Sequence, residues 1–263
     1  MKVGTALNLK SRSNAAEILV QARLEGLVTD RLPEACRPAS DDDALAIQLR
    51  VIELLGTTIG GWKVSLPRGE NLFVAPLPAA AIYSTSPCPI LPFHGRARIE
   101  PEIAFVLGRD LPPRSSAYTK DDLLDAIAET RLDLELIGCR YADHSVLPFR
   151  EFLADSINNQ GLFVGPSVPN AHDQNLEYFK IRIDGPSGTI VDQEGRHPNG
   201  HPLKPLVWLA NFLSGRGETL KEGMMITTGS YAGILEVPLN TPLTVVYDGI
   251  GSFSVSFGRI TRI

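Results

Sequence analysis

The string Ile99-Glu100-Pro101-Glu102-Ile103-Ala104-Phe105-Val106-Leu107 sets two carboxylates two residues apart in an otherwise apolar run. As a strand it alternates its side chains. Glu100 and Glu102 then share one face with Ala104 and Val106, while Ile99, Pro101, Ile103, Phe105 and Leu107 take the other. Both faces are apolar beyond the glutamates, which puts the acids at the mouth of a buried strand. Like charges on one face repel, and burial strengthens the repulsion, so something positive must sit between them. A third carboxylate, Glu135, is enclosed by large aliphatic residues in Leu132-Asp133-Leu134-Glu135-Leu136-Ile137-Gly138-Cys139-Arg140. An isolated buried charge costs several kcal/mol, so Glu135 needs a cation or a proton. Three converging carboxylates are a hard oxygen site suited to Mg²⁺ or Mn²⁺, with open positions for water or substrate. The ordinary alternative is a solvated Glu-x-Glu face paired with Arg96 or Arg98.

Lys63, in Gly60-Gly61-Trp62-Lys63-Val64, is a candidate cation aimed at an anionic substrate; otherwise it is an exposed strand lysine. Asp155 and Asn158 either supply polar groups to a pocket or form an Asx turn before the run Leu162–Val164. The five histidines, His94, His144, His172, His197 and His201, show no HxH or HExxH spacing, which disfavours zinc. Ser230 lacks a G-x-S-x-G frame, and no GxGxxG or GxxxxGK[ST] string occurs, against a serine hydrolase or a nucleotide enzyme of those types.

The elements that must position these residues follow from periodicity. Helices are predicted over 15–27 and 42–55, the second opened by Asp41-Asp42-Asp43 at its positive end. Further helices are predicted over 120–129 and 203–213. Short strands separated by Pro and Gly are expected at 62–64, 82–84, 99–107, 132–141, 162–164, 179–183, 225–228, 243–247 and 253–257. The expected class is α+β: a helical N-terminal portion, residues 1–59, and a mainly β catalytic body, residues 60–263.

The 263 residues are 43% hydrophobic and 21% charged, which excludes a disordered, collagenous or coiled-coil chain. Acidic residues outnumber basic ones, 30 to 25, and no basic block occurs, against nucleic-acid binding. Three widely spaced cysteines, Cys36, Cys88 and Cys139, imply neither a disulfide framework nor a CxxC site, and fit a reducing compartment. No apolar stretch is long enough to cross a bilayer, and the first residues lack the apolar core of a signal peptide. A soluble cytoplasmic protein without membrane association is expected.

Several strings taken together resemble the 2-keto-4-pentenoate hydratase and 4-oxalocrotonate decarboxylase family of the fumarylacetoacetate hydrolase superfamily. They are the run from Ile99 to Leu111, Leu134 to Arg140, Ala154-Asp155, Gly200-His201-Pro202-Leu203, Trp208-Leu209-Ala210-Asn211, Thr228-Gly229-Ser230 and Gly249-Ile250-Gly251-Ser252. Asp43 to Gln48 and Gly61-Trp62-Lys63-Val64 match as well, so the resemblance runs in order over nearly the whole chain.

The resemblance implies a mixed β-roll and a homo-oligomer. It also implies Mg²⁺ or Mn²⁺ on Glu100, Glu102 and Glu135, with Lys63 reaching the substrate. Substrates would be small 2-hydroxydienoates or their 2-oxo tautomers from aromatic-ring catabolism after meta-cleavage. Arg140, Asn158 and Ser230 are the candidates for substrate contact. One departure is visible: Asn71-Leu72-Phe73-Val74-Ala75-Pro76-Leu77 carries no acid where hydratases of the family have one. Asp155 is the candidate replacement for proton transfer. Hydration is the expected reaction. Alternatives are decarboxylation of an oxalocrotonate-type diacid, C–C bond hydrolysis, or non-catalytic binding of a 2-oxo acid.

Overall fold

The computed structural model describes residues 6–260. Helix α1 (Leu9–Glu25) starts at Asn8, whose side chain accepts the Ser11 N–H, and stops at Gly26 in the left-handed region. Helix α2 (Asp41–Leu54) is capped by Ser40, and the three aspartates fill its first turn. Asp43 does more than complement the dipole: it accepts hydrogen bonds from Arg12 and from the Leu7 and Ala39 N–H groups. These helices share a core with a distant segment, Ala15, Ala16, Leu19, Ile47 and Val51 packing with Tyr141, Leu153, Ala154 and Ile157.

After α2 come β1 (Ile59–Arg68), β2 (Asn71–Pro78), β3 (Ile82–Tyr83), β4 (Cys88–Ile90) and β5 (Arg96–Leu107). Helix α3 (Lys120–Leu124), β6 (Ile127–Ile137), helix α4 (Phe149–Ala154) and β7 (Asn159–Ser167) complete the first half. Next are β8 (Tyr178–Gly185), β9 (Gly188–Arg196) and helix α5 (Leu203–Gly215). The chain closes with β10 (Met225–Thr227), β11 (Leu235–Pro238), β12 (Leu243–Tyr247), β13 (Gly251–Val255) and β14 (Phe257–Arg259). The fold is α+β, mostly strand, with a curled mixed sheet.

The main sheet runs β2-β1-β10-β5-β6-β7-β3, with β11 also paired to β5. Only the β1–β10 and β3–β7 pairs in it are parallel. A four-stranded sheet, β13-β12-β8-β9, packs beneath. Phe253 stacks on Phe163 at 5.6 Å, and the Tyr247 hydroxyl donates to the Asp133 carbonyl at 2.6 Å. The apolar face of β5 anchors this core: Ile99, Ile103, Phe105 and Leu107 are all buried, each contributing about 1.5–3 kcal/mol by leaving water.

Three sequence expectations are corrected. Residues 120–129 are not one helix. Thr119 and Asp122 close a capping box, but the helix ends at Leu124, and Ile127 pairs with Leu107 in the β5–β6 ladder. The strand expected to reach Tyr141 ends at Ile137, where the Gly138 N–H turns away to the Asn158 carbonyl at 2.7 Å. Residues 253–257 are split between β13 and β14, which join different sheets. Among the described residues no helix is long and apolar enough to cross a membrane.

Candidate active site

One face of the main sheet carries a row of polar side chains set by strand register. Glu100 stands opposite Glu135 and Glu102 opposite Asp133 on the β5–β6 ladder. Across β10, Thr227 is opposite Ala104 on one side and Lys63 on the other. Directly opposed residues in a ladder share a face, so four acids, one hydroxyl and one ammonium converge. Gly61 makes the close approach of β1 and β10 possible. A Cβ there would lie 2.0 Å from the Met225 carbonyl oxygen, so any other residue would push Lys63 off the row.

Glu100, Glu102 and Glu135 each offer an oxygen within 4.8 Å of the others, and among the described residues they are the group that could hold a metal ion. Arg96 and Arg98 do not neutralise them; both face Glu236, at 3.9 and 3.3 Å. Burial, then the charge of Glu135, pushes Glu100 up to about 7. Glu102 is pushed well above the usual carboxylate range by burial and by Glu135, Asp133 and Glu100. Burial likewise raises Asp133. Like charges this crowded cannot all ionise without a cation.

The hydrogen bonds make the same point by proton counting. The Thr227 hydroxyl contacts both Glu102 and, at 2.9 Å, Asp133. A single hydroxyl proton serves one of them, so the other carboxyl must supply its own. Glu102 also accepts the Gly229 N–H at 2.7 Å. Glu135 accepts from Lys63 Nζ at 2.5 Å and from the Asn159 amide at 2.9 Å. Lys63, 12% exposed, also donates to the Ile157 carbonyl at 3.1 Å. It is not a solvated strand lysine.

These groups line a cavity of about 350 Å³. Its walls include Phe73, Phe152, Ile137 and Ile234, and its polar lining adds Asn158, Ser230 and Arg68. Asn158 is 4% exposed, and its Oδ1 has no hydrogen-bond partner among the described residues. Ser230 donates weakly to the Gly233 carbonyl at 3.3 Å. Arg68 lies over the Phe73 ring, 5.0 Å from its centroid. A larger cavity, about 580 Å³, opens elsewhere, near Lys120, Arg131 and His201, and does not contain the acid trio.

Two candidates lie elsewhere. Arg140 and Asp155 are buried against one another, Nε to Oδ1 2.5 Å, and neither lines the cavity. Their types suggest chemistry, but each neutralises the other. His197 is also buried. Its Nε2 meets the Thr228 carbonyl at 3.0 Å, and burial lowers it to about 4, so the ring stays neutral and holds the strand end.

The segment between Asp155 and β7 is strained. Ser156, Ile157 and Asn158 have φ of 55°, 53° and 62°, three consecutive side-chain-bearing residues in the left-handed region. Such residues cost of order 1–3 kcal/mol each and persist only where their surroundings over-determine them.

Sequence reasoning missed Asp133, Thr227, Asn159 and Arg68. The signal for Asp133 was present, since it stands two residues before Glu135 and so shares its face. The others are placed by strand order and a turn.

No family model matches the chain. A 2-keto-4-pentenoate hydratase of Paraburkholderia xenovorans (strain LB400) is 28% identical over 262 residues, 94% of this chain and 95% of that protein. This chain is a homologue of the 2-keto-4-pentenoate hydratases. The 4-oxalocrotonate decarboxylase of Pseudomonas putida G7, solved with magnesium and adipate, superposes with a TM-score of 0.78 at 22% identity, covering 97% of this chain and all of that one. A yeast fumarylacetoacetate hydrolase family protein matches with a TM-score of 0.50 at 14% identity over 75% of this chain and 92% of its own. The homologues are named as hydratases and decarboxylases, enzymes of the lyase kind. The fold shared with these structures is that of the fumarylacetoacetate hydrolase family.

Proposed function

We propose that this chain is a divalent-metal-dependent lyase that hydrates a small 2-hydroxydienoate or its 2-oxo-enoic tautomer, as in aromatic meta-cleavage catabolism. The observation that carries the proposal is the trio of buried Glu102 and Glu135 with half-buried Glu100 beside Lys63, at one end of a cavity with an apolar wall. The donor set fits a hard divalent ion: all three ligands are carboxylates, all are crowded, and Lys63 alone offsets them within the cluster. Mg²⁺ is the proposed ion, as in the P. putida G7 decarboxylase structure, with Mn²⁺ as the alternative. Bound there, it would supply Lewis acidity toward the carboxylate and C2 oxygen of a 2-oxo acid.

The chain's own residues do the rest. Lys63, pinned between Glu135 and the Ile157 carbonyl, offsets charge on the bound substrate and is the proposed proton relay. The reaction needs a proton at C5 of the dienol, then water at C4 and a proton at C3. Asn158 presents a buried, unpartnered amide oxygen, suited to accept a hydrogen bond from that water or from the substrate. Ser230 lies on the same lining, while Phe73, Phe152 and Ile234 exclude bulk water from the diene. Asp155 is not proposed as the base, because its carboxylate is held by Arg140 outside the cavity.

A second reading, decarboxylation of a 2-oxo diacid, is favoured by Arg68. Arg68 lies on the cavity lining over the Phe73 ring, and no ion-pair partner for it is found among the described residues, which leaves its N–H groups for a distal carboxylate. The proposal also includes a homo-oligomer, which light scattering tests. A cytoplasmic location suits the free thiols at Cys36, Cys88 and Cys139.

The deciding experiment is turnover of 2-hydroxypenta-2,4-dienoate, followed by loss of the dienol absorbance, with and without a chelator. Metal-dependent formation of the 4-hydroxy-2-oxo acid is expected. Metal-dependent CO₂ release from a diacid instead selects the second reading. Tight binding of oxalate without any turnover would reduce the protein to a 2-oxo acid binder.

A further inference from the structure

The Arg140–Asp155 pair grips one residue twice. The Arg140 side chain meets the Asp155 carboxylate through Nε at 2.5 Å and the Asp155 carbonyl through a terminal nitrogen at 2.6 Å. The Arg140 N–H also donates to the carboxylate, at 3.1 Å. The left-handed run of Ser156, Ile157 and Asn158 follows at once. Its far end is held as firmly. The Asn158 carbonyl takes the Gly138 N–H at 2.7 Å, and Arg23 of α1 donates to the Asn159 and Gln160 carbonyls at 2.9 and 3.3 Å.

Between the two clamps the segment turns two groups toward the acids: the Ile157 carbonyl, which accepts Lys63 Nζ, and the Asn158 side chain, which lines the cavity. A β-branched residue at positive φ is unfavourable, and a buried ion pair adds little net stability. The arrangement therefore costs the fold, and what it yields is the placement of two polar groups.

We infer that Arg140 and Asp155 form a positioning pair. Acting through the backbone of residues 156–158, they fix the Lys63 ammonium and the Asn158 amide against the carboxylate site without touching substrate. The effect on turnover rests on the lyase reading above; the effect on Lys63 does not.

The test uses Asp155→Asn and Arg140→Lys in the full chain, with two readouts. The first is trinitrobenzenesulfonate labelling mapped by peptide mass spectrometry, which reports Lys63 against Lys10, Lys120 and Lys204 in the same sample. Lys63 is expected to label several-fold faster in both variants, with the other lysines unchanged. The second is kinetic: kcat is expected to fall about 10- to 100-fold while KM and Mg²⁺ affinity stay within about threefold, because the acid trio sits on other strands.

Unchanged Lys63 labelling in a folded variant overturns the inference. So does equal acceleration of every lysine, which marks general loosening. If Asp155→Asn does not fold, Arg140→Lys, which keeps the charge, decides alone. If the wild type turns over no dienoate, the lyase reading falls while the labelling result still stands or fails by itself.

Discussion

The ladder of β5, β6 and β10 and the segment from Gly138 to Gln160 meet in one cavity, yet they hold their residues by opposite means. The ladder uses regular pairing: Glu100, Glu102, Asp133 and Glu135 project together because strands alternate, and the apolar reverse face is locked into the core. Its stress is electrostatic, like charges crowded out of water. The segment uses irregular backbone, three left-handed residues between an internal ion pair and an arginine from α1. Its stress is conformational. A cation relieves the first kind, whereas the second is permanent and needs clamps. The ladder is thus fitted to grip an exchangeable ion, and the segment to hold side chains still.

Breaking the ladder is expected to have the largest effect. Glu102→Gln should abolish Mg²⁺ binding by calorimetry and lower turnover on the order of 10³-fold. The metal-free protein should nevertheless melt at a higher temperature, because one crowded carboxylate is gone. Lys63→Met should lower kcat by about 10²-fold in steady-state assays and leave metal binding in place.

Asn158→Gly attacks the other region. Glycine accepts φ of 62° freely, so the melting temperature should rise by about 2 °C while kcat falls about tenfold for loss of the amide. Arg68→Gln should raise KM for a 2-oxo diacid about tenfold and for a monoacid much less; equal effects on both would remove Arg68 from substrate selection.

The smallest effect is a pH signature that sharpens the contrast. Glu100 is raised from 4.5 to about 7 in the folded protein, so above the lower value the unfolded chain binds fewer protons than the native one. Stability of the metal-free protein should therefore fall as pH rises through that window. Mg²⁺ should restore more stability at pH 7.5 than at pH 5 in thermal melts. A metal-free melting temperature that climbs over this range would contradict the crowding of the acids.

The same contrast explains what the sequence made legible. The trio Glu100, Glu102 and Glu135 follows from alternation alone, because acids in an apolar strand have one face to occupy. Lys63 is legible as a type, but its contact with Ile157 depends on a turn whose left-handed residues are not glycines. Arg140 and Asp155 read as chemistry because charges amid apolar residues invite it; their mutual pairing, 15 residues apart, has no local signal. Strand β2 is not among the expected strands; Pro76 and Pro78 interrupt its apolar run, and they are tolerated because it is an edge strand. Strand β9 escaped for the opposite reason: Thr189 to Arg196 is mostly polar and exposed, at the edge of the lower sheet. The N-terminal helices were placed within a few residues at their C-terminal ends, yet their shared core with residues 141–157 could not be seen from periodicity.

The position of β10 has a consequence for biogenesis. This short strand lies between β1 and β5, and Thr227 meets Glu102 from 125 residues away in sequence. A growing polypeptide can form the β1–β2 and β5–β6 hairpins early, since both are local. It cannot bring them side by side until residues 225–227 have emerged from the ribosome and slipped in as the wedge. The acid trio is carried by β5 and β6 alone, so what waits for most of translation is its counter-charge: Lys63 on β1, with Thr227, joins the acids only once that wedge is in place.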